Sequence, residues 1–221
     1  MPGEPESPPE EEETPLKAAI AALPSLYEVD LRGQALGADG VRRLADASSA
    51  LGCPPRLTAL NLSNNSIGDE GASCAAQAFL RTAPRCSLCY LDLGWNSIAS
   101  EGAAALASAL EVGCSTLEVL DLECNDLGDA GAEVLARALP QMKALRELKL
   151  GGNRINAGGG ALLAEGLRGG PLETLELGRN YLGPRGAAAI AGALAPQRDG
   201  RCSRLRSLRL AVNRFGDAGA A

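Results

Sequence analysis

The sequence predicts an α/β solenoid: one parallel β-sheet along a concave face, helices along the convex face, and about seven repeating units between them. Two observations predict it. Seven segments, starting at Leu26, Leu57, Leu88, Leu117, Leu145, Leu172 and Leu205, share one alternation of leucines and follow each other at intervals of 27 to 33 residues. Each has a Gly four residues past its last apolar position, followed in most copies by small and apolar residues at helical spacing, as in "GDEGASCAAQAFL" and "GDAGAEVLARAL". Composition agrees: hydrophobic residues make up 46% of the chain but aromatics only 3%. A core of Leu, Ala, Val and Ile suits thin, regularly stacked layers better than a bulky centre.

The elements follow in chain order. Glu4, Glu6, Glu10, Glu11, Glu12 and Glu13 precede residue 16 with no Lys or Arg among them, so residues 1–13 carry all of the formal −6 and the remainder is −6 − (−6) = 0. This Pro- and Glu-rich segment has too little apolar surface to offset the entropy of ordering, and it reads as a solvated, disordered acidic tail. Its acidity does not suit a secretory signal or transit peptide. Thr14 and Pro15 read as N-cap and first helical residue of a short helix over residues 14–25, which covers the first layer of the solenoid. Residues 26–221 form the repeat domain, with the last repeat incomplete: at Ala221 a seventh helix is only beginning. The expectation there is a bare last layer near Leu210 and Phe215, closed by another chain, by self-association, or by residues beyond this sequence.

Within a unit such as "LEVLDLECNDL", Leu117, Leu120 and Leu122 point inward from a short strand and Leu127 closes the layer. Asn65, Asn96, Asn125, Asn153, Asn180 and Asn213 recur at one position, where a buried amide satisfies backbone N–H and C=O groups of adjacent turns. The first copy has Gln34 instead, which predicts a looser first turn. The pattern L-x-x-L-x-L-x-x-N-x-L with a helical second half resembles leucine-rich repeats of the ribonuclease-inhibitor type. The resemblance covers residues 26–219 and implies the curved solenoid with its parallel sheet. It is similar also to the repeats of NOD-like immune receptors and of Ran GTPase-activating proteins. A fold of this kind leaves function open.

Chemistry is hard to place in this chain. It has no His, so His-based triads, His general bases and His metal ligands are excluded together. "GLRGGP" and "NAGGGA" lack the Lys and Ser/Thr spacing of a phosphate loop. Cys86 and Cys89 form a C-x-x-C, with Cys114 and Cys124 beyond, but Cys53, Cys86, Cys114 and Cys202 all fall just before a strand, a structural slot that the resemblance also implies. Seven cysteines cannot all pair, which fits a reducing setting better than a disulfide framework. No catalytic residue, metal or cofactor is therefore expected.

Binding is what the pattern leaves. Between the second and third Leu of each copy stand Asp30, Asn61, Asp92, Asp121, Lys149, Glu176 and Arg209, on the concave face, acidic early and basic at the end. Trp95, the sole Trp, sits just before Asn96, with Tyr90, Asp92, Asp121 and Glu123 nearby. An aromatic beside carboxylates on a surface of small residues has the composition of a binding hot spot. The other reading of Trp95 is packing, with its ring laid over Cys124 and Asn64. Arg198, Arg201, Arg204, Arg206, Arg209 and Arg214 make a basic end, read as solvated or as a contact for an acidic partner.

Three function classes follow: a non-enzymatic scaffold holding a protein partner on its concave face, a regulator similar to GTPase-activating proteins, and a ribonuclease-inhibitor-like protein. A neutral body without interleaved aromatics argues against nucleic acid, and no apolar run reaches membrane-spanning length. The expected setting is cytoplasmic, within a cytoskeletal or ciliary assembly.

Overall fold

The computed structural model describes residues 14–51, 56–81, 87–112, 116–168, 170–195 and 204–214. Helix α1 (Pro15–Ala22) opens the chain, and seven strands then alternate with helices: β1 (Glu28–Asp30), α2 (Gly37–Ala50), β2 (Ala59–Asn61), α3 (Gly68–Ala75), β3 (Tyr90–Asp92), α4 (Ser100–Val112), β4 (Val119–Asp121), α5 (Gly128–Ala138), β5 (Glu147–Lys149), α6 (Ala157–Gly166), β6 (Thr174–Glu176), α7 (Gly183–Leu194) and β7 (Ser207–Arg209). The strands form one parallel sheet in sequence order, in a register that places the same repeat position side by side, Leu91 on Leu120 and Leu120 on Leu148. α1 begins as its sequence suggests, with the Thr14 hydroxyl accepting from the Lys17 N–H and Pro15 in the first turn.

The core is a column of one leucine set per repeat. Leu117, Leu120, Leu122 and Leu127 are buried, as are their counterparts from β2 to β6. In the last described layer Leu205, Leu208 and Leu210 are only half-buried, while Phe215 lies outside the described residues. Glycines let neighbouring layers approach: a Cβ at Gly166 would stand 2.4 Å from the Ala136 carbonyl oxygen, so α5 and α6 pack closer than any side chain there permits. The Asn ladder runs through this core. Asn96 donates to the Leu62, Leu93 and Gly94 carbonyls at 2.9–3.1 Å, and its Oδ1 accepts from Asn65 N and Ile67 N of the preceding repeat at 2.8 and 3.4 Å. Gln34 is exposed and bonds only locally, yet its turn is tied down by Asn65 Oδ1, which accepts from Gln34 N and Leu36 N. The first turn is thus held from the next repeat rather than from its own side chain.

Helix starts are secured in two ways, and the choice follows one residue. Gly37, Gly68, Gly128 and Gly183 take left-handed backbone angles and donate forward to the carbonyl of the next repeat's ladder Asn, at 2.9–3.0 Å. Where Ala99 and Asn156 replace that Gly, the N–H instead donates back to Asp69 or Asp129 of the preceding repeat, each at 2.7 Å. Asp69 also accepts from Gly102 N, so it caps α4 across the repeat boundary.

Candidate protein-binding site

The concave face is built from two columns of residues at the strand ends and the charges they carry. In the first, the side-chain oxygen of Asp30, Asn61, Asp92 or Asp121 accepts the backbone N–H two residues on, at 2.9–3.1 Å, closing each strand with a local turn. Asn61 makes the same bond as its acidic neighbours. The turn therefore needs an oxygen and not a charge.

The second column decides where Trp95 points. Gly33, Asn64, Trp95, Cys124, Gly152, Arg179 and Val212 all have φ between 54° and 68°. This left-handed conformation suits Gly and Asn but is costly for a bulky side chain, by about 1–2 kcal/mol. The Gly and Asn members of the column were the sequence signal for it. Trp95 N donates to Glu123 O at 2.8 Å, which holds the backbone in place. The indole is nevertheless 60% exposed. That exposure leaves much of the residue's surface open to a partner.

The third feature is charge. Asp92 and Asp121 lie in register on neighbouring strands, and Lys149 lies next to Asp121 on β5. Lys149 Nζ reaches Asp121 Oδ2 at 3.1 Å, and Glu147 at 3.9 Å. Burial works to lower the Lys149 pKa, but the charge and hydrogen bond of Asp121 outweigh it and raise the pKa overall. Asp92 and Glu123 have no ion-pair partner among the described residues. Burial, then the Asp121 charge, pushes both carboxyls above the usual carboxylate range, with Glu176 adding to the shift of Glu123. The Tyr90 hydroxyl stands 3.5 Å from Asp92, and burial and that carboxylate raise its pKa. Burial and Glu123 do the same to the Cys124 thiol.

These groups surround an open cleft of about 530 Å³ lined by Arg32, Asn64, Asp92, Gly94, Trp95, Asp121 and Glu123, with Ser63 at its wall. Gly94 forms a bare floor: a Cβ there would lie 3.3 Å from Asp92 Oδ1 and 3.6 Å from Asp121 Oδ1. A second cleft of about 410 Å³ adjoins it through Glu123 and runs along Glu176, Arg179, Arg209 and Val212.

The expected contact residues therefore divide. Trp95, Tyr90, Asp92 and Glu123 come together. Asp121 lines the same cleft but is only 8% exposed and engaged by Lys149, because the register sets the two side by side. Glu176 pairs with Arg209 for the same reason, and Asp30 pairs at 3.0 Å with Arg32, which also lines the Trp95 cleft. Of the basic end, Arg206 pairs with Glu173 at 3.6 Å, and Arg214 stacks 4.4 Å from the Tyr181 ring centre. Arg198, Arg201, Cys53, Cys86, Cys114, Cys202 and residues 1–13 lie outside the described residues.

Comparison with known proteins agrees with this architecture. The Leucine Rich repeat family matches at residues 55–74, 86–107, 113–136, 142–164 and 171–191. A stretch of 68 residues, 30% of the chain, is 46% identical to human Protein NLRC5, and 107 residues, 48% of the chain, are 38% identical to pig ribonuclease inhibitor. The matches span only 4% and 22% of those two proteins. Among solved structures, leiomodin-1 actin-binding site 2 is similar with a TM-score of 0.53 at 20% identity, over 72% of this chain and 91% of that one. The tropomodulin C-terminal domain of Caenorhabditis elegans is similar with a TM-score of 0.50 at 16% identity, over 81% and 90%. At these identities the two structures speak to fold alone. Among the described residues no helix is long and apolar enough to cross a membrane. With five family matches falling on the seven-strand register, the chain belongs to the leucine-rich repeat proteins, with repeats of the ribonuclease-inhibitor type.

Proposed function

We propose that this chain is a non-enzymatic scaffold that holds a protein partner on its concave face, at the cleft beside Trp95. One observation carries the reading: the sole Trp stands largely exposed, on a backbone conformation that disfavours it, at the mouth of a concave cleft of about 530 Å³. Sites with this composition concentrate binding energy in a few central residues, and losing such an anchor costs about 2 kcal/mol or more. The test is affinity capture from native extract with wild type and Trp95→Ala, after their melting temperatures are compared. A partner retained only by wild type, at equal stability, supports the reading. Equal retention removes Trp95 from the interface.

A second reading is a ribonuclease-inhibitor-like clamp on a basic enzyme, favoured by the 38% identity to pig ribonuclease inhibitor and by the unmatched carboxylates Asp92 and Glu123. Nuclease capture would select it. We place the scaffold in the cytoplasm, within a cytoskeletal or ciliary assembly. Because the leiomodin structure is of an actin-binding site, actin is one candidate to test directly.

A further inference from the structure

We infer that the Trp95 cleft receives an arginine side chain of the partner, its guanidinium stacked on the indole and hydrogen-bonded to Asp92. The inference deepens the scaffold reading and rests on it.

Charge complementarity is the first argument. Of the four charged groups lining the cleft, Arg32 is matched by Asp30 and Asp121 by Lys149, which leaves Asp92 and Glu123 without an ion-pair partner among the described residues. Their charge is not structural. Asn61 closes the equivalent turn on β2 with a neutral amide, so Asp92 could be Asn at no cost to the fold. Burial and the Asp121 charge work against the ionised form of Asp92, and a cation placed in the cleft beside it would favour that form.

Shape selects the cation. The floor of the cleft is Gly94, with no side chain to stand between Asp92 and Asp121, and the wall is a flat, exposed ring. A guanidinium is planar, stacks on Trp, and donates several N–H bonds in one plane; a Lys ammonium offers a point charge and no face. The outer oxygen of Asp121 is already taken by Lys149 and the Glu123 side chain is hydrogen-bonded to Glu176, so Asp92, which accepts from Gly94 N and from the Tyr90 hydroxyl at a long 3.5 Å, is the carboxylate with most capacity left. The neighbouring cleft does not compete: its Glu176 is already paired with Arg209, and Arg179 adds a further positive charge.

Because Trp95 is the sole Trp, its fluorescence reports occupancy directly. The full chain is titrated with a blocked peptide carrying two arginines, with the same peptide carrying citrulline, and with a glutamate version. The expected result is a saturable change with the arginine peptide, about tenfold weaker binding of the citrulline peptide, and a comparable weakening in Asp92→Asn, which melts no lower than wild type. An equal response to arginine and citrulline, or a preference for glutamate, overturns the inference. So does a change on concentrating the protein alone, which would make a second copy the occupant. If a partner captured through Trp95 shifts the fluorescence while the arginine peptide does not, the arginine inference fails and the scaffold reading stands. If the captured partner leaves the fluorescence unchanged, the placement of the scaffold site at Trp95 fails as well.

Discussion

The concave face at β3–β4 and the concave face at β6–β7 share one backbone and one register, but they differ in how their charges are met. At β6–β7 Glu176 is paired with Arg209 and Glu173 with Arg206, each across one repeat. At β3–β4 two acids stand in register, Lys149 reaches only the second, and Glu123 adds another unmatched charge. Both regions carry a left-handed rim residue with an exposed apolar side chain, Trp95 in one and Val212 in the other. The difference teaches that the repeat scaffold is indifferent to what its concave positions carry. At β3–β4 a carboxylate without an ion-pair partner stands beside a large aromatic, and that is where we propose the partner binds.

The largest expected effect removes the frame that both regions share. Leu120→Asp puts an unpaired carboxylate into a fully buried layer, at a cost of about 5 kcal/mol or more, comparable to the whole stability of a domain. Cooperative melting should vanish by circular dichroism, and near-wild-type melting would refute the register. Next comes Asn96→Ala, which strips partners from two buried N–H groups and three carbonyls beneath β3. A loss of about 3 kcal/mol is expected in denaturant titration. The same change at Asn213, on the half-buried last layer, should cost less.

Trp95→Gly should move stability the other way. Gly occupies the same left-handed position at Gly33 and Gly152, so relief of the backbone should raise stability by about 1 kcal/mol while partner capture is lost. Val212→Gly should bring a similar gain and leave capture intact. A fall in melting temperature at Trp95→Gly would return the indole to a packing role.

The smallest effect is a pH dependence. Asp92 faces Tyr90, Asp121, Lys149 and Arg32, and Glu123 faces Asp121, Glu176 and Lys149; in both cases the folded pKa is raised. Between the ordinary carboxylate pKa and that raised value, the folded state binds more protons than the unfolded one. These groups therefore cost stability at neutral pH, and that cost is relieved as pH falls through the raised pKa. Asp92→Asn should raise the melting temperature slightly at pH 7 and flatten its rise on mild acidification.

Much of this was legible in the residues. The leucine alternation, the Asn column and the Gly four positions beyond each unit are local signals, repeated often enough to set strand, turn and helix without any long-range knowledge. The left-handed rim was also written there, in Gly33, Asn64 and Gly152, although Trp95 and Arg179 disguise it. Asp69 and Asp129 were harder to find, because each caps a helix some 30 residues away, in a repeat that lacks its own Gly.

By itself, then, the sequence determined the period, the direction of each leucine and the positions that stay out of the core, since these depend on spacing within one unit and on the burial of apolar surface. Which of those positions hold an unmatched charge was decided only by the tertiary structure. Asp121 and Lys149 are 28 positions apart in the sequence and become neighbours because parallel pairing stacks equal repeat positions. A side chain's net charge environment is a property of that stacking, and no single repeat contains it.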